Sequence, residues 1–358
     1  MTVPILEIRN LSIHFETDYG RVKALSGANL TVGQEEIVGL VGESGCGKTT
    51  IARAILRVIP SPPGIIEEGA IFYDGQDLLK LTPRQIEEDI RGRAITFIPQ
   101  DPFLSLNPVF TIQDQIMELL FWKSGEKVWS GELGKRMKGA WRYLRPWPSS
   151  LRRSYVEKIV EMFREVQIPG PLLQISKLPH EVSGGQRQRV MIAMALLTKP
   201  RLIIADEPTT SLDVTVQAQV IRLLRSLVKQ HGTSVLFITH DLGVANEICN
   251  RIIVLYAGQE VEMASKSEFF GKPCHPYTRK LLESLPNVRG EIRDIPGEVP
   301  NLIDPPSGCR FHPRCENVQA PCSQHRPPVL EITPGHWVRC YNPISYSNLR
   351  RGIHQLNG

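Results

Sequence analysis

Residues 42–49 read GESGCGKT, and this stretch decides the fold class of the chain. It closes the strand-like run EIVGLVG and opens the run TIARAILRVI, whose apolar residues recur at helical spacing. A glycine-rich turn between a strand and a helix is the setting of a phosphate-binding P-loop. Its glycines allow backbone N–H groups to face phosphate oxygens, and the N-terminus of the helix adds partial positive charge.

The same loop contains the side chains that phosphate binding needs. Lys48 is predicted to reach the β- and γ-phosphates of a nucleotide, and the Thr49 hydroxyl is predicted to ligate Mg²⁺. We expect Cys46 to be a passive member of the loop rather than a nucleophile. The predicted nucleotide ligands in this stretch are Gly42, Ser44, Gly45, Cys46, Gly47, Lys48, Thr49 and Thr50.

Two adjacent carboxylates, Asp206 and Glu207, follow the apolar run RLIIA, which predicts a fully buried parallel strand. Such a strand delivers both groups to the carboxyl edge of a sheet, where burying them without a cation is costly. We therefore assign Asp206 to the Mg²⁺ held by Thr49, and Glu207 to polarising the attacking water. A helix N-cap pair before Pro208 is the structural alternative.

The rest of the chain predicts an α/β core with two additions. Residues 5–41 alternate like antiparallel strands, and RLIIAD and SVLFITH flank a helix-like run, which gives a parallel βαβ unit. Residues 113–174 read as mostly helical, and ten prolines and four glycines leave little room for regular elements between 286 and 341. The predicted division is a core at 1–112 and 175–260, an inserted helical subdomain at 113–174, and a small irregular cysteine-rich extension at 261–358.

The composition excludes several classes of protein. Of 358 residues, 41% are hydrophobic and 22% charged, which is typical of a globular protein and not of a disordered or fibrous one. No apolar stretch approaches the roughly 20 residues of a membrane helix. The first ten residues do not have the pattern of a secretion signal, so we expect the protein inside the cell.

Taken in order, the motifs resemble those of the ATP-binding subunit of an ABC transporter over residues 5–260. SGGQ at 183–186 resembles the ABC signature, and Gln100 in FIPQDP resembles the Q-loop. SLD at 211–213 resembles the D-loop, and His240 resembles the switch histidine. The resemblance implies that two such subunits sandwich ATP and that hydrolysis releases them. The residues that it adds to the site are Tyr19, Gln100, Ser183, Gly184, Gly185, Gln186, Asp213 and His240.

The resemblance also implies roles for these residues. Gln100 contacts Mg²⁺ together with Thr49 and Asp206, and its loop links the ATPase to membrane subunits. His240 contacts the γ-phosphate, with a histidine that caps a strand end as the alternative. Tyr19 stacks on the adenine, and Phe15 is the alternative stacking residue. Either aromatic side chain could instead be packed in the core.

The tail resembles the C-terminal extension of the dipeptide and oligopeptide permease ATPases, through PGEVP at 296–300, GCRF at 308–311 and HPYTRKLLESLP at 275–286. Four of its cysteines are Cys309, Cys315, Cys322 and Cys340, with five, six and seventeen residues between successive members. A segment this rich in proline favours folding around a metal centre. The lack of a Cys-x-x-Cys pair favours a four-iron, four-sulfur cluster, as does the resemblance, while Zn²⁺ and unligated thiols remain as alternatives.

The resemblance implies an ATP-hydrolysing motor subunit of a dipeptide or oligopeptide importer, with oligosaccharide or nickel uptake as the alternative within the same family. Its partners would be a second, different ABC ATPase subunit, two transmembrane permease subunits and, indirectly, a substrate-binding protein. We expect a peripheral protein at the cytoplasmic face of the membrane and no nucleic-acid partner. A soluble ABC ATPase of translation or DNA repair would carry a second P-loop or a long coiled coil, and neither is visible. A tail that senses iron or redox state outside transport is a further alternative.

The net charge of +5 is concentrated in residues 122–153, where nine Lys or Arg residues stand against two Glu residues. Trp129, Trp141 and Trp147 are interleaved with them. This mixture suits an anionic lipid surface, because tryptophans prefer the headgroup zone and basic side chains are attracted to anionic lipid. A solvated helical lobe with inward-facing tryptophans is the alternative.

Overall fold

The computed structural model describes residues 3–124, 149–210, 212–285 and 295–344. Ser211, the first residue of the predicted D-loop motif, lies outside the described residues. The basic segment 122–153 is described only at its two ends, so the predicted contact with anionic lipid stays a prediction.

The strands are β1 (Leu6–Thr17), β2 (Gly20–Val32), β3 (Ile37–Val41), β4 (Gly64–Tyr73), β5 (Gln76–Asp77), β6 (Ile95–Ile98), β7 (Leu202–Asp206), β8 (Ser234–Thr239), β9 (Arg251–Tyr256), β10 (Gln259–Ser265), β11 (Val329–Thr333) and β12 (His336–Arg339). The α-helices are α1 (Lys48–Ile55), α2 (Pro83–Gln85), α3 (Pro102–Ser105), α4 (Ile112–Ser124), α5 (Ser149–Glu165), α6 (Pro171–Ile175), α7 (Gly184–Leu196), α8 (Val214–His231), α9 (Leu242–Ile248), α10 (Lys266–Gly271) and α11 (Pro276–Glu283). Short 3₁₀ turns occupy Leu78–Lys80, Pro179–Glu181, His312–Arg314 and Ala320–Ser323, and a π turn occupies Ile86–Ile90. None of the helices seen in the described ranges has the length and apolar character required to cross a bilayer.

The chain divides into two compact units that are not contiguous in sequence. The first comprises residues 1–87, 201–207 and 232–358, and the second comprises residues 88–200 and 208–231. The predicted domain boundaries were drawn from patterns along the sequence, whereas these units are defined by contacts in space. The units do not test the predicted three-part division, which stays a prediction.

The first unit contains an antiparallel sheet in the order β2-β1-β4-β5. The predicted alternation is present in β1, where Leu6, Ile8, Leu11 and Ile13 are buried between more exposed residues. Register shifts occur between Ile8 and Leu11 and again on either side of Ile13. Bulges of this kind bend a strand and strengthen its twist, which explains how so long a strand follows a curved core.

The second sheet of this unit runs in the order β11-β12-β10-β9-β3-β8-β7. Strands β9, β3, β8 and β7 are parallel neighbours, and every residue of β3, β7 and β8 is buried. Strands covered on both faces need continuous apolar runs, which is how these segments read in the sequence. The parallel sheet and the neighbouring strands of the βαβ unit are confirmed.

The second unit is mostly helical over its described residues. Helix α4 packs against α5, and α7 packs against α8 and β6. The apolar faces are buried at helical spacing, as in α5, where Tyr155, Ile159 and Phe163 are each at most 1% exposed. The helical character predicted between residues 113 and 174 is present where the structure describes that segment.

The tail is irregular over most of its described length, but one hairpin joins the core sheet. Strand β12 pairs antiparallel with β10 on one side and with β11 on the other. His336 and Val338 of β12 alternate with the half-buried Trp337 and Arg339. The hairpin of the tail is therefore stabilised by extending an existing sheet.

Candidate functional site

Three neighbouring parallel strands end at one edge of the large sheet, and each is followed by predicted site residues. The P-loop follows β3, Asp206 and Glu207 stand at the end of β7, and His240 follows β8. Because β8 lies between β3 and β7, the carboxyl ends of these strands bring all three segments together. Backbone pairing holds this edge, since the N–H of Glu207 donates to the Ile238 carbonyl at 2.9 Å.

Lys48 is folded back into the P-loop. Its Nζ donates to the carbonyl oxygens of Gly42 at 2.8 Å and Glu43 at 3.0 Å, and the residue is only 6% exposed. Ser44, Gly45 and Thr49 are exposed, Thr50 is half-buried and Cys46 is buried. Burial raises the pKa of the Cys46 thiol, which is what a passive loop member requires.

Two glycines of the loop are fixed by the close approach of neighbouring backbone. A Cβ on Gly42, whose φ is +154°, would lie 2.1 Å from the Leu255 carbonyl oxygen. A Cβ on Gly47, whose φ is +106°, would lie 2.8 Å from the Ala24 carbonyl oxygen. The loop is therefore packed against backbone behind it, while a Cβ on Gly45 would meet nothing within 4 Å.

Asp206 and Thr49 meet across the end of the sheet. Asp206 is 4% exposed and is hydrogen-bonded to the Thr49 side chain. Burial and the neighbouring Glu207 raise the pKa of Asp206, although Thr49 and Lys48 oppose the shift. A hydroxyl and a buried carboxylate that lacks full solvation are suitable oxygen ligands for Mg²⁺, so the donor set fits that ion.

Glu207 and His240 form a contact pair beside Asp206. The Nδ1 of His240 lies 3.0 Å from Oε1 of Glu207, and the Glu207 side chain is 15% exposed. Glu207 has a φ of +47°, a left-handed conformation that is unfavourable for a residue with a Cβ, and it precedes Pro208. Strained backbone of this kind persists where the surroundings enforce it and is found at functional sites.

The second unit contains the other predicted nucleotide residues except Tyr19, which belongs to the first unit. Gln100 is exposed two residues after β6. Ser183 is exposed and caps α7, with its hydroxyl accepting from the Gln186 N–H at 3.3 Å and the Gln186 side chain accepting from the Ser183 N–H at 3.0 Å. Gly184 and Gly185 form the first turn of this helix, so the SGGQ sequence here is a capping box.

Asp213 and Tyr19 have contrasting surroundings. Asp213 is exposed at the start of α8, where its carboxylate accepts from the Val216 N–H at 2.9 Å. This cap provides a structural reason for an aspartate at that position.

Tyr19 is 89% exposed between β1 and β2, and Phe15 is half-buried in β1. Tyr19 is thus available for stacking in a way that a core residue is not.

The four tail cysteines converge in the first unit. They are free thiols, and the Cys309 N–H donates to the Cys322 carbonyl at 2.8 Å. Burial raises the pKa of Cys340 to about 12, and the other three cysteines add to that rise. Burial likewise raises the pKa of Cys309 to about 11, with contributions from Cys322 and Cys315. The four thiols are therefore near enough to affect one another's pKa.

A second buried cluster that was not predicted from the sequence contains Glu262, Cys274 and His336, whose ligand atoms all lie within 4.8 Å of one another. The Nε2 of His336 lies 2.7 Å from Oε1 of Glu262, and the Cys274 N–H donates to the same oxygen at 2.7 Å. The other oxygen of Glu262 accepts from the His275 N–H at 2.8 Å. Both carboxylate oxygens of Glu262 have hydrogen-bond partners within the protein. The cluster therefore connects β10, β12 and the residues just before α11.

The cluster should make the free energy of unfolding depend on pH, because it contains His336. Burial alone would lower the pKa of His336, but Cys274 and Glu262 outweigh it and raise the pKa to about 10. A raised pKa stabilises the fold fully below the unfolded value near 6.5, and this contribution is lost as the pH rises through the folded value. We expect the difference in thermal midpoint between wild type and His336→Gln to be largest at pH 6 and to shrink towards pH 10. A difference that did not change with pH would contradict a charged His336.

Comparisons with known proteins agree with this site. A family model described as ABC transporter matches residues 25–210, and one described as the C-terminal region of oligopeptide/dipeptide transporters matches residues 261–322. The Sinorhizobium fredii protein y4tR, named as a probable peptide ABC transporter ATP-binding protein, is 42% identical over 349 residues, which is 96% of this chain and 97% of that protein. The oligopeptide transport ATP-binding protein OppD of Bacillus subtilis is 40% identical over 341 residues, 94% of this chain and 88% of that protein.

Solved structures give the same assignment. The dimeric structure of MJ0796, described as a bacterial ABC transporter cassette, matches with a TM-score of 0.58 and 26% identity, covering 73% of this chain and 98% of that chain. The α/β cassette fold predicted from the motifs is therefore confirmed. The chain belongs to the ATP-binding proteins of the ABC transporter family, in its oligopeptide/dipeptide group.

Proposed function

We propose that the chain is the ATP-hydrolysing motor subunit of an importer for dipeptides or oligopeptides. The observation that carries this proposal is the convergence of the P-loop, Asp206, Glu207 and His240 at the ends of three parallel strands. The names of its relatives, which include peptide and oligopeptide transport ATP-binding proteins, support the choice of substrate class.

The first unit provides the residues for phosphoryl transfer to water. The backbone N–H groups of the P-loop and Lys48 bind the phosphates of ATP. Thr49 and Asp206 hold Mg²⁺, which when bound neutralises charge on the phosphates. Glu207 orients the attacking water and takes its proton. His240, whose Nδ1 lies 3.0 Å from Oε1 of Glu207, contacts the γ-phosphate.

The second unit provides residues that act on the water and on a partner's nucleotide. The exposed Ser183 with its glycines presents a hydroxyl and helix N–H groups to the γ-phosphate bound by another subunit. For Gln100, a contact with Mg²⁺ and the attacking water is what the family resemblance implies. The partner is a second, different ABC ATPase. We propose that both sit at the cytoplasmic face of the membrane beneath two permease subunits, which receive peptide from a binding protein.

Pulldown and uptake measurements test this function together. Tagged full-length chain, purified in detergent without nucleotide, is expected to retain two permease subunits and a second ATPase, and cells carrying the transporter should take up a radiolabelled tripeptide. Glu207→Gln should abolish uptake while the complex still assembles. Recovery without permease subunits would contradict the motor role, and uptake of nickel or an oligosaccharide in place of peptide would contradict the substrate class.

We also propose that the four tail cysteines hold a four-iron, four-sulfur cluster. The four cysteines have five, six and seventeen residues between successive members and no Cys-x-x-Cys pair, which favours a cluster over a single zinc ion. Burial raises the pKa of the Cys309 and Cys340 thiols, so protons leave as metal binds.

Metal analysis tests this cluster directly. Chain purified without oxygen is expected to be brown and to contain about four irons, because each cysteine ligates one iron of a cubane. Cys340→Ser should lose most of this iron. Cys249→Ser is the matched control, because Cys249 is a buried thiol next to Gly39 of β3 and is not one of the four proposed ligands, so its replacement should leave the iron content unchanged. Zinc in place of iron would refute the cluster.

A further inference from the structure

The P-loop residue Glu43 is bound by an arginine of the C-terminal extension. Arg314 Nη1 donates to one carboxylate oxygen of Glu43 at 2.9 Å, and Nη2 donates to the other at 3.2 Å. The Arg314 side chain is 5% exposed, and its remaining N–H groups donate to the Pro296 carbonyl, the Ile295 carbonyl and the Tyr256 hydroxyl. All five donors of the guanidinium are thus used, which fixes its plane.

The backbone of Glu43 is held by the same region. Its N–H donates to the Tyr277 hydroxyl at 3.0 Å, and Tyr277 is fully buried. The Tyr277 ring packs against Tyr256 at 4.5 Å and Phe311 at 5.3 Å between centroids. Tyr277 belongs to α11 and Phe311 to the cysteine-bearing segment, so residues after 270 hold both the side chain and the N–H of Glu43.

A second arginine of the extension reaches the middle of the loop through one intermediate turn. Arg310 donates to the Ala257 carbonyl and to the Ser26 hydroxyl, the latter at 2.6 Å. The neighbouring Gly258 N–H donates to the Cys46 carbonyl at 2.8 Å. The extension therefore contacts the P-loop at two positions. Arg314 binds Glu43 directly, and Arg310 binds the turn at residues 257–258, which in turn binds the Cys46 carbonyl.

We propose that Arg314 is a positioning residue for nucleotide binding, which it promotes by holding Glu43 and so the shape of the P-loop. The Glu43 carbonyl accepts from Lys48, so displacement of Glu43 moves a partner of the lysine that binds phosphate. A phosphate-binding loop depends on N–H groups whose positions are set before the ligand arrives, and their displacement lowers affinity. The inference rests on the proposed nucleotide site and extends it to a residue 271 positions away in sequence.

A double-mutant cycle on nucleotide affinity tests this proposal. Full-length wild type, Arg314→Met, Glu43→Gln and the double variant are titrated with a fluorescent ATP analogue, mant-ATP, in the presence of Mg²⁺. We expect each single variant to bind on the order of tenfold more weakly than wild type, and the double variant to bind about as weakly as either one. Arg314→Lys should restore only part of the affinity, because an ammonium cannot bind both carboxylate oxygens in a fixed plane.

Arg326→Met provides the matched control. Arg326 also joins the extension to the core, donating to the Gly27 carbonyl at 2.9 Å, but it does not contact the P-loop. It should lower the thermal midpoint without weakening mant-ATP binding. The proposal is overturned if Arg314→Met binds like wild type, if the two single effects add fully, or if Arg326→Met weakens binding as much. Wild type that fails to bind mant-ATP would instead refute the proposed nucleotide site.

Discussion

Replacing Glu207 with Gln is expected to abolish ATP turnover while leaving nucleotide binding near the wild-type level. The amide keeps the size of the carboxylate but cannot accept the proton of the attacking water. Loss of a general base typically costs 10²- to 10⁴-fold, so we expect a fall in rate of roughly that size. Steady-state phosphate release measures turnover, and mant-ATP titration measures binding in the same preparation.

The control for this variant is Glu283→Gln. Glu283 is a partly exposed member of a helical ion pair with Arg279 at 2.8 Å and lies in no predicted contact with nucleotide. Its replacement should leave both turnover and binding unchanged. Hydrolysis by Glu207→Gln at the wild-type rate would show that another group activates the water. A parallel loss of binding would show instead that the pairing of Glu207 with His240 at 3.0 Å maintains the site.

Local pattern was enough to predict the strand, loop and helix around the P-loop. The apolar run before Asp206 and the run before His240 are continuous because both strands are buried on two faces. Once those strands are parallel neighbours, their carboxyl ends must meet, so the grouping of Asp206, Glu207 and His240 follows from sequence alone. The positions of these residues could be predicted because each strand and the turn after it depend on residues close in the chain, whereas their chemical roles stay predictions.

Pairs that join distant segments could not be predicted in this way. Arg314 and Glu43 are each ordinary in their local sequence, and only the docking of the extension brings them to 2.9 Å. The buried set of Glu262, Cys274 and His336 likewise requires β12 to pair with β10. In the sequence the hairpin at residues 329–339 is short and flanked by prolines, so its pairing with the core sheet leaves almost no local signal.

Replacing Lys48 with Ala is expected to weaken nucleotide binding itself. In the structure its Nζ donates to the carbonyls of Gly42 and Glu43, so the ammonium lies at the centre of the loop. Its removal takes away both a charge that attracts phosphate and two contacts that hold the loop in shape. Hydrogen bonds to charged groups contribute about 1.5–3 kcal/mol, so the dissociation constant for mant-ATP should rise roughly tenfold to a hundredfold.

The matched control for this change is Lys266→Ala, because Lys266 also donates to a backbone carbonyl, that of Asn246 at 3.1 Å, but lies outside the loop. It should bind mant-ATP like wild type. Wild-type affinity in Lys48→Ala would contradict the role of this ammonium in phosphate binding. Because Glu207→Gln should lose turnover and keep binding, whereas Lys48→Ala should lose binding first, the two variants together separate the residue that binds phosphate from the residue that activates water.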